Sequence, residues 1–148
     1  MKKLETTTVD EILSALIPSN ATAQLPDPDL LSYYKDLDNR VIWVGDIDDS
    51  CVNISQQIIR WNLEDRDIPV ENRKPIKIMI FSYGGDGATC FNIVDTILMS
   101  KTPVYTYNMG VAMSAGAIIL MAGHKRFCTK YSTCLIHSGS GGATGTYE

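Results

Sequence analysis

Ile76-Lys-Ile-Met-Ile-Phe-Ser82, followed at once by Tyr83-Gly84-Gly85-Asp86-Gly87, is the stretch on which the fold turns. Its first seven residues are rich in β-branched and other apolar side chains, which suit a pleated surface, and they read as a strand. The glycines that follow make a tight turn into a helix over 87–100, presenting Phe91, Val94 and Ile97/Leu98. Strand, glycine turn and helix in succession point to an α/β arrangement.

Toward the C-terminus, Pro103–Tyr107 reads as a further strand, and Gly110 begins a turn into an apolar helix over 113–123. Two short strands follow, Arg126–Thr129 and Thr133–His137. Toward the N-terminus, Asp65–Pro75 is charged and proline-containing, which marks a surface loop. Residues 51–64 form a helix with Ile54, Ile58 and Trp61 on one stripe and Val52, Ile59 and Leu63 on its neighbour. Arg40-Val-Ile-Trp-Val-Gly45 reads as a buried strand, and a short helix starts at Asp27-Pro28 and runs to about Asp36. Thr8-Val-Asp-Glu11 has the form of a capping box for a helix from Leu4 to Ile17, which Pro18 stops. Residues 1–32 are expected to be an arm and linker, and 33–148 one domain. From residue 40 the order is β-α-β-α-β-α-β-β, an α/β domain with a largely parallel sheet.

The 148 residues fit one ordinary domain. With 45% hydrophobic and 20% charged residues, a sizeable core forms and wholesale disorder is excluded. A net charge of -4 argues against nucleic acid or an anionic membrane surface as a partner, since both attract basic excess. Residues 1–72 hold 14 acids and 6 bases and residues 73–148 hold 3 and 7, so the first half is expected to be the more polar. The longest apolar stretch, Met109–Gly123, is broken by Ser114 and glycines and is too short for a bilayer. The opening MKKLETTTVDE lacks the apolar region of a signal peptide. Cys51, Cys90, Cys128 and Cys134 contain no CxxC pair and read as buried thiols in a reducing compartment, so the expected location is cytoplasmic.

Both glycine-rich turns lie between a strand and a helix, where α/β units bind ligands and where helix N-termini offer unpaired amides. Gly84-Gly85 lets the backbone approach a ligand closely, or is simply a tight turn that needs positive φ. It fits neither a GxGxxG fingerprint nor a P-loop. Ser114, in Gly110-Val-Ala-Met-Ser114-Ala-Gly116, stands where a nucleophilic serine would, with the following amide available to an oxyanion. Ala112 in place of glycine breaks the G-x-S-x-G pattern, and a plain N-cap remains open. His124 is expected to cap carbonyls at the end of the apolar helix. His137, ending Cys134-Leu-Ile-His137, is either a general base or a satisfied strand-end histidine. A zinc site from His124, Cys128, Cys134 and His137 is disfavoured, because Cys134 and His137 would face opposite sides of a strand. No metal or other cofactor is expected.

Ser82-Tyr-Gly-Gly85, Met109-Gly-Val-Ala-Met-Ser114-Ala-Gly-Ala117, Ala122-Gly-His-Lys-Arg-Phe-Cys128 and Leu135-Ile-His137 with Gly141-Gly142 together resemble the Clp protease proteolytic subunit (ClpP) family, over roughly Tyr33 to Tyr147. The resemblance implies a ClpP/crotonase-like spiral of β-β-α units and a serine endopeptidase subunit of a ring, hydrolysing unfolded polypeptides. It matches Ser114 to the nucleophile, His137 to the general base, and Gly85 and Ala115 to the backbone donors of the oxyanion hole. It also implies a homo-oligomer, with an ATP-dependent unfoldase as a partner. The family carries its triad aspartate beyond the glycine-rich connection, in the segment with the ring-joining handle, so the sequence is expected to be incomplete at that end. Tyr83 stands for the family's usual proline, the Gly123-His-Lys-Arg126 stretch is two residues shorter, and Lys77 and Met79 stand where aromatics often line the unfoldase pocket. The alternatives are an inactive structural subunit and a crotonase-like acyl-CoA enzyme.

Overall fold

A computed structural model describes residues 27–139. The chain divides into two compact units, residues 1–35 and 36–148. The helix expected from Leu4 to Ile17 and the segment from 140 onward lie outside the described residues. Helix α1 runs over Pro28–Asp38. Asp27 starts it, its side chain accepting from the Asp29 amide at 2.9 Å.

The second unit is built on a five-stranded, all-parallel sheet. Strands β1 (Val41–Val44), β2 (Ile76–Ser82), β3 (Val104–Met113) and β4 (Lys125–Cys128) lie side by side in that order. The short β5 (Thr133–Leu135) pairs with the far half of β3, beyond β4. Helices α2 (Val52–Glu64), α3 (Gly87–Met99) and α4 (Ala115–Ala122) connect the strands. The α/β order from residue 40 is as expected.

Alternation along β2 decides which face is dry. Ile76, Ile78, Ile80 and Ser82 are buried toward the helices, while Phe81 on the other face is half-exposed. Beneath β2 and β3, α4 packs against both strands, α3 against α4, and α2 against α3. Ile58, Ile93, Ile97 and Ile119 complete the core with no exposed surface. Burial of each such side chain contributes about 1.5–3 kcal/mol.

Three expectations are corrected. Gly110 does not end a strand: β3 runs on to Met113, and Gly110 sits inside it with φ +152°. Ile80 pairs with Asn108 but Ser82 pairs with Ala112, so β3 accommodates two extra residues at this point. Glycine permits that irregularity as readily as a turn. The Asn108 side chain fixes it, accepting from the Gly110 amide at 3.1 Å and donating to the Thr133 carbonyl at 3.0 Å.

On α3, Cys90, Ile93 and Ile97 face the core and Phe91 is exposed. The helix is apolar on more than one side, so its pattern alone leaves the buried stripe open. Of the cysteines, all free, only Cys90 is fully buried; Cys51 is partly so, and Cys128 and Cys134 are exposed. Those two lie on β4 and β5, whose residues are exposed throughout. Among the described residues no helix is long and apolar enough to cross a membrane.

Candidate active site

Ser114 stands where β3 gives way to α4, with φ 50° and ψ -122°. Such a backbone costs a non-glycine residue about 1–3 kcal/mol, so its surroundings must hold it there. They do so through the main chain. The Ser114 amide donates to the Leu135 carbonyl at 2.9 Å, and its own carbonyl accepts from Ala117 and Ile118, closing the first turn of α4. Ser114 occupies the N-cap position of α4, but its hydroxyl makes no capping bond. Ser114 is partly exposed, and its hydroxyl makes no hydrogen bond among the described residues.

The Gly84-Gly85 turn lies against this serine. Gly84 has φ +117°, and a Cβ added there would meet Ser114 Cβ at 2.8 Å. Gly85 has φ +145°, and its Cβ would fall 2.0 Å from the Ile47 carbonyl oxygen. Only glycine fits at either position. Ile47 frames the turn with its backbone, donating to the Gly84 carbonyl at 3.0 Å and accepting from the Asp86 amide at 2.8 Å. Between those bonds, the Gly85 amide donates to none of the described residues. Ala115 is the first residue of α4, where a helix leaves its amides without an internal acceptor. Among the described residues, the Gly85 and Ala115 amides therefore have no backbone acceptor.

Neighbouring polar groups are satisfied locally. Asp86 caps α3, and the Thr89 amide bonding to it at 2.7 Å holds its carboxyl below the usual carboxylate range. The Cys90 thiol donates to the Ala115 carbonyl at 3.4 Å. Burial pushes that thiol up, and the charge on Asp86 adds to the effect.

His137 follows β5 by two residues and is exposed, with Nδ1 2.8 Å from the Ser138 carbonyl oxygen. Because β3 and β5 are parallel neighbours, their C-terminal ends bring Ser114 and the approach to His137 to the same end of the sheet. No hydrogen bond joins the two side chains among the described residues. His124 does not cap the carbonyls of α4. It brackets the start of β3 instead: its amide donates to the Val104 carbonyl, and its Nδ1 accepts from the Val104 amide at 2.9 Å. Among the described residues no group of three or more His, Cys, Asp or Glu side chains could hold a metal ion.

Ile47 is absent from the motifs, and Ser82 stands in one without a role of its own. Ile47 acts through its main chain, which its side-chain type does not signal, and Ser82 is a buried strand residue whose hydroxyl serves the turn.

The chain is similar to known proteins in this same region. The model of the Clp protease family matches residues 30–148. The ATP-dependent Clp protease proteolytic subunit 2 of Treponema denticola is 39% identical over 108 residues, covering 72% of this chain and 52% of that protein. The subunit 2 of Bacillus licheniformis is 35% identical over 113 residues, 74% of this chain and 56% of its own length. The subunit 1 of Rhodopirellula baltica is 34% identical over 113 residues, 74% of this chain and 47% of its length. The chain spans about half the length of the curated relatives it matches. Shared sequence over this α/β core and its serine turn leads to one conclusion: the chain belongs to the Clp protease family.

Proposed function

We propose that the chain is a serine endopeptidase subunit of an oligomeric proteolytic ring that cleaves unfolded polypeptides. One observation carries the reading. Ser114 is held at positive φ against the Gly84-Gly85 turn, and among the described residues neither its hydroxyl nor the Gly85 amide has a hydrogen-bond partner. The hydroxyl oxygen attacks the scissile carbonyl carbon while His137 Nε2 takes its proton. Nδ1 faces the Ser138 carbonyl, an acceptor, so Nδ1 carries the ring proton and Nε2 is the basic nitrogen. The amides of Gly85 and Ala115 donate to the oxyanion, each worth about 3 kcal/mol in such sites. His137 then protonates the leaving amine as the C–N bond breaks. Water, deprotonated by the same ring, releases the acid and restores the serine.

The relatives' names describe ATP-dependent proteases, which supports an ATP-driven unfoldase as the partner that delivers substrate.

Intact mass spectrometry before and after a fluorophosphonate probe tests the reading. The expected result is one adduct on Ser114, absent from Ser114→Ala. A wild-type chain that takes no adduct, or takes one elsewhere, overturns it.

A further inference from the structure

Ser82 ends β2 on the helix-facing side of the sheet and has no exposed surface. Its hydroxyl oxygen accepts from the Gly84 amide at 3.1 Å. The same side chain supports α4: a Cβ added to Gly116 would meet Ser82 Cβ at 2.9 Å and Oγ at 3.0 Å. Ser82 thus touches both the turn that carries the Gly85 amide and the helix that carries the Ala115 amide. A two-glycine turn has more conformational freedom to lose than any other pair, so one bond to its first amide matters more here than in an ordinary loop.

We propose that Ser82 is a positioning residue whose hydroxyl clamps the Gly84-Gly85 turn to α4 and so sets the spacing between the two oxyanion donors. The proposal rests on the reading of Ser114 as nucleophile and deepens it. Ser82→Ala keeps the Cβ contact with Gly116 but removes the acceptor for Gly84. Gly85 then swings with its neighbour, and the two amides no longer converge on one oxygen.

The test compares the full chain as wild type, Ser82→Ala and Ser114→Ala. Hydrogen exchange at the Gly84 amide and saturation kinetics of fluorophosphonate labelling are measured where all three are folded. In Ser82→Ala, Gly84 exchange accelerates. The maximal labelling rate falls roughly five- to tenfold, the factor that one ordinary hydrogen bond represents. The half-saturating probe concentration stays put, which a merely loosened fold would not produce. Unchanged Gly84 exchange, or a loss confined to half-saturation, overturns the proposal. If Ser82→Ala fails to fold, Ser82→Cys, similar in shape but a weaker acceptor, takes its place with the same criteria. A wild-type chain that takes no probe sinks the nucleophile reading instead, and Gly84 exchange alone then decides the clamp.

Discussion

The amide of Ser114 donates to the carbonyl of Leu135 at 2.9 Å, and this bond ties the serine turn to the strand that runs on to His137. It extends the parallel register Val111–Thr133, Ala112–Cys134 and Met113–Leu135 by one step. Residues far apart in sequence reach one end of the sheet because two neighbouring strands stop there together, where α/β proteins commonly place their sites.

Ser114 occupies a backbone conformation that favours glycine, so keeping a serine there costs the fold stability. Ser114→Gly is expected to stabilise the fold by roughly 1 kcal/mol, since relief of strain outweighs the added freedom of the unfolded chain. Ser114→Ala, which keeps the strain, stays within about 0.5 kcal/mol of wild type. Urea denaturation of the three chains measures both differences. A Ser114→Gly chain less stable than Ser114→Ala would mean that the turn is not strained.

Gly85→Ala meets two obstacles: φ +145° and a carbonyl oxygen 2.0 Å from the new Cβ. The obstructing atom is backbone, so no side chain can rotate away. The substitution is expected to cost about 1–3 kcal/mol and to push Ile47 off the turn. Gly87→Ala is the control, because a Cβ there has nothing within 4 Å. Equal unfolding midpoints for the two variants would contradict the close approach of Ile47.

The alternation of strands and helices was legible because apolar runs, glycine turns and prolines mark it locally. The course of β3 was not. Whether Gly110 ends a strand or kinks one is decided by pairing with Ser82 and by the Asn108 side chain, neither of which is local to it. The buried stripe of α3 was equally open, because Cys90 rather than Phe91 fits beside Ala115 only once α4 is in place. At the site, the family resemblance points to Gly85, Ser114, Ala115 and His137, and the fold brings the glycine turn onto the serine. Ile47 carries no signal because it acts through a main-chain bond, and the role of Ser82, though it stands in a motif, rests on a buried hydroxyl whose partner the residue type does not show.

The cysteines separate by environment. Cys128 and Cys134 are exposed, while Cys90 is buried with its thiol bonded to Ala115 and its ionisation pushed up. The thiolate is the reactive form, so iodoacetamide at neutral pH is expected to modify Cys128 and Cys134 in the folded protein and Cys90 only after denaturation. Peptide mapping of the native and urea-treated chain reads this directly. Native labelling of Cys90 as fast as that of Cys128 would show that α3 and α4 open readily.

Arg40 and Asp65 form the ion pair that ties β1 to the end of α2. Arg40 Nη2 lies 2.7 Å from Asp65 Oδ1, and Thr102 donates to the other carboxylate oxygen at 2.9 Å. Asp65 is 2% exposed. The hydrogen bond from Arg40 first, and that from Thr102 after it, hold the carboxyl below its ordinary range against the opposing effect of burial. A lowered folded-state pKa means that the pair stabilises fully above the unfolded value of about 3.9, and that this stability drains away as pH falls through the folded value. Asp65→Asn leaves Arg40 charged and mostly buried, which is expected to cost about 3–5 kcal/mol at neutral pH. Urea midpoints of wild type and variant should therefore converge as pH drops from about 5 toward 2, because only the wild type has this carboxylate to lose. A gap that stays constant over that range would mean that Asp65 is not held ionised by Arg40.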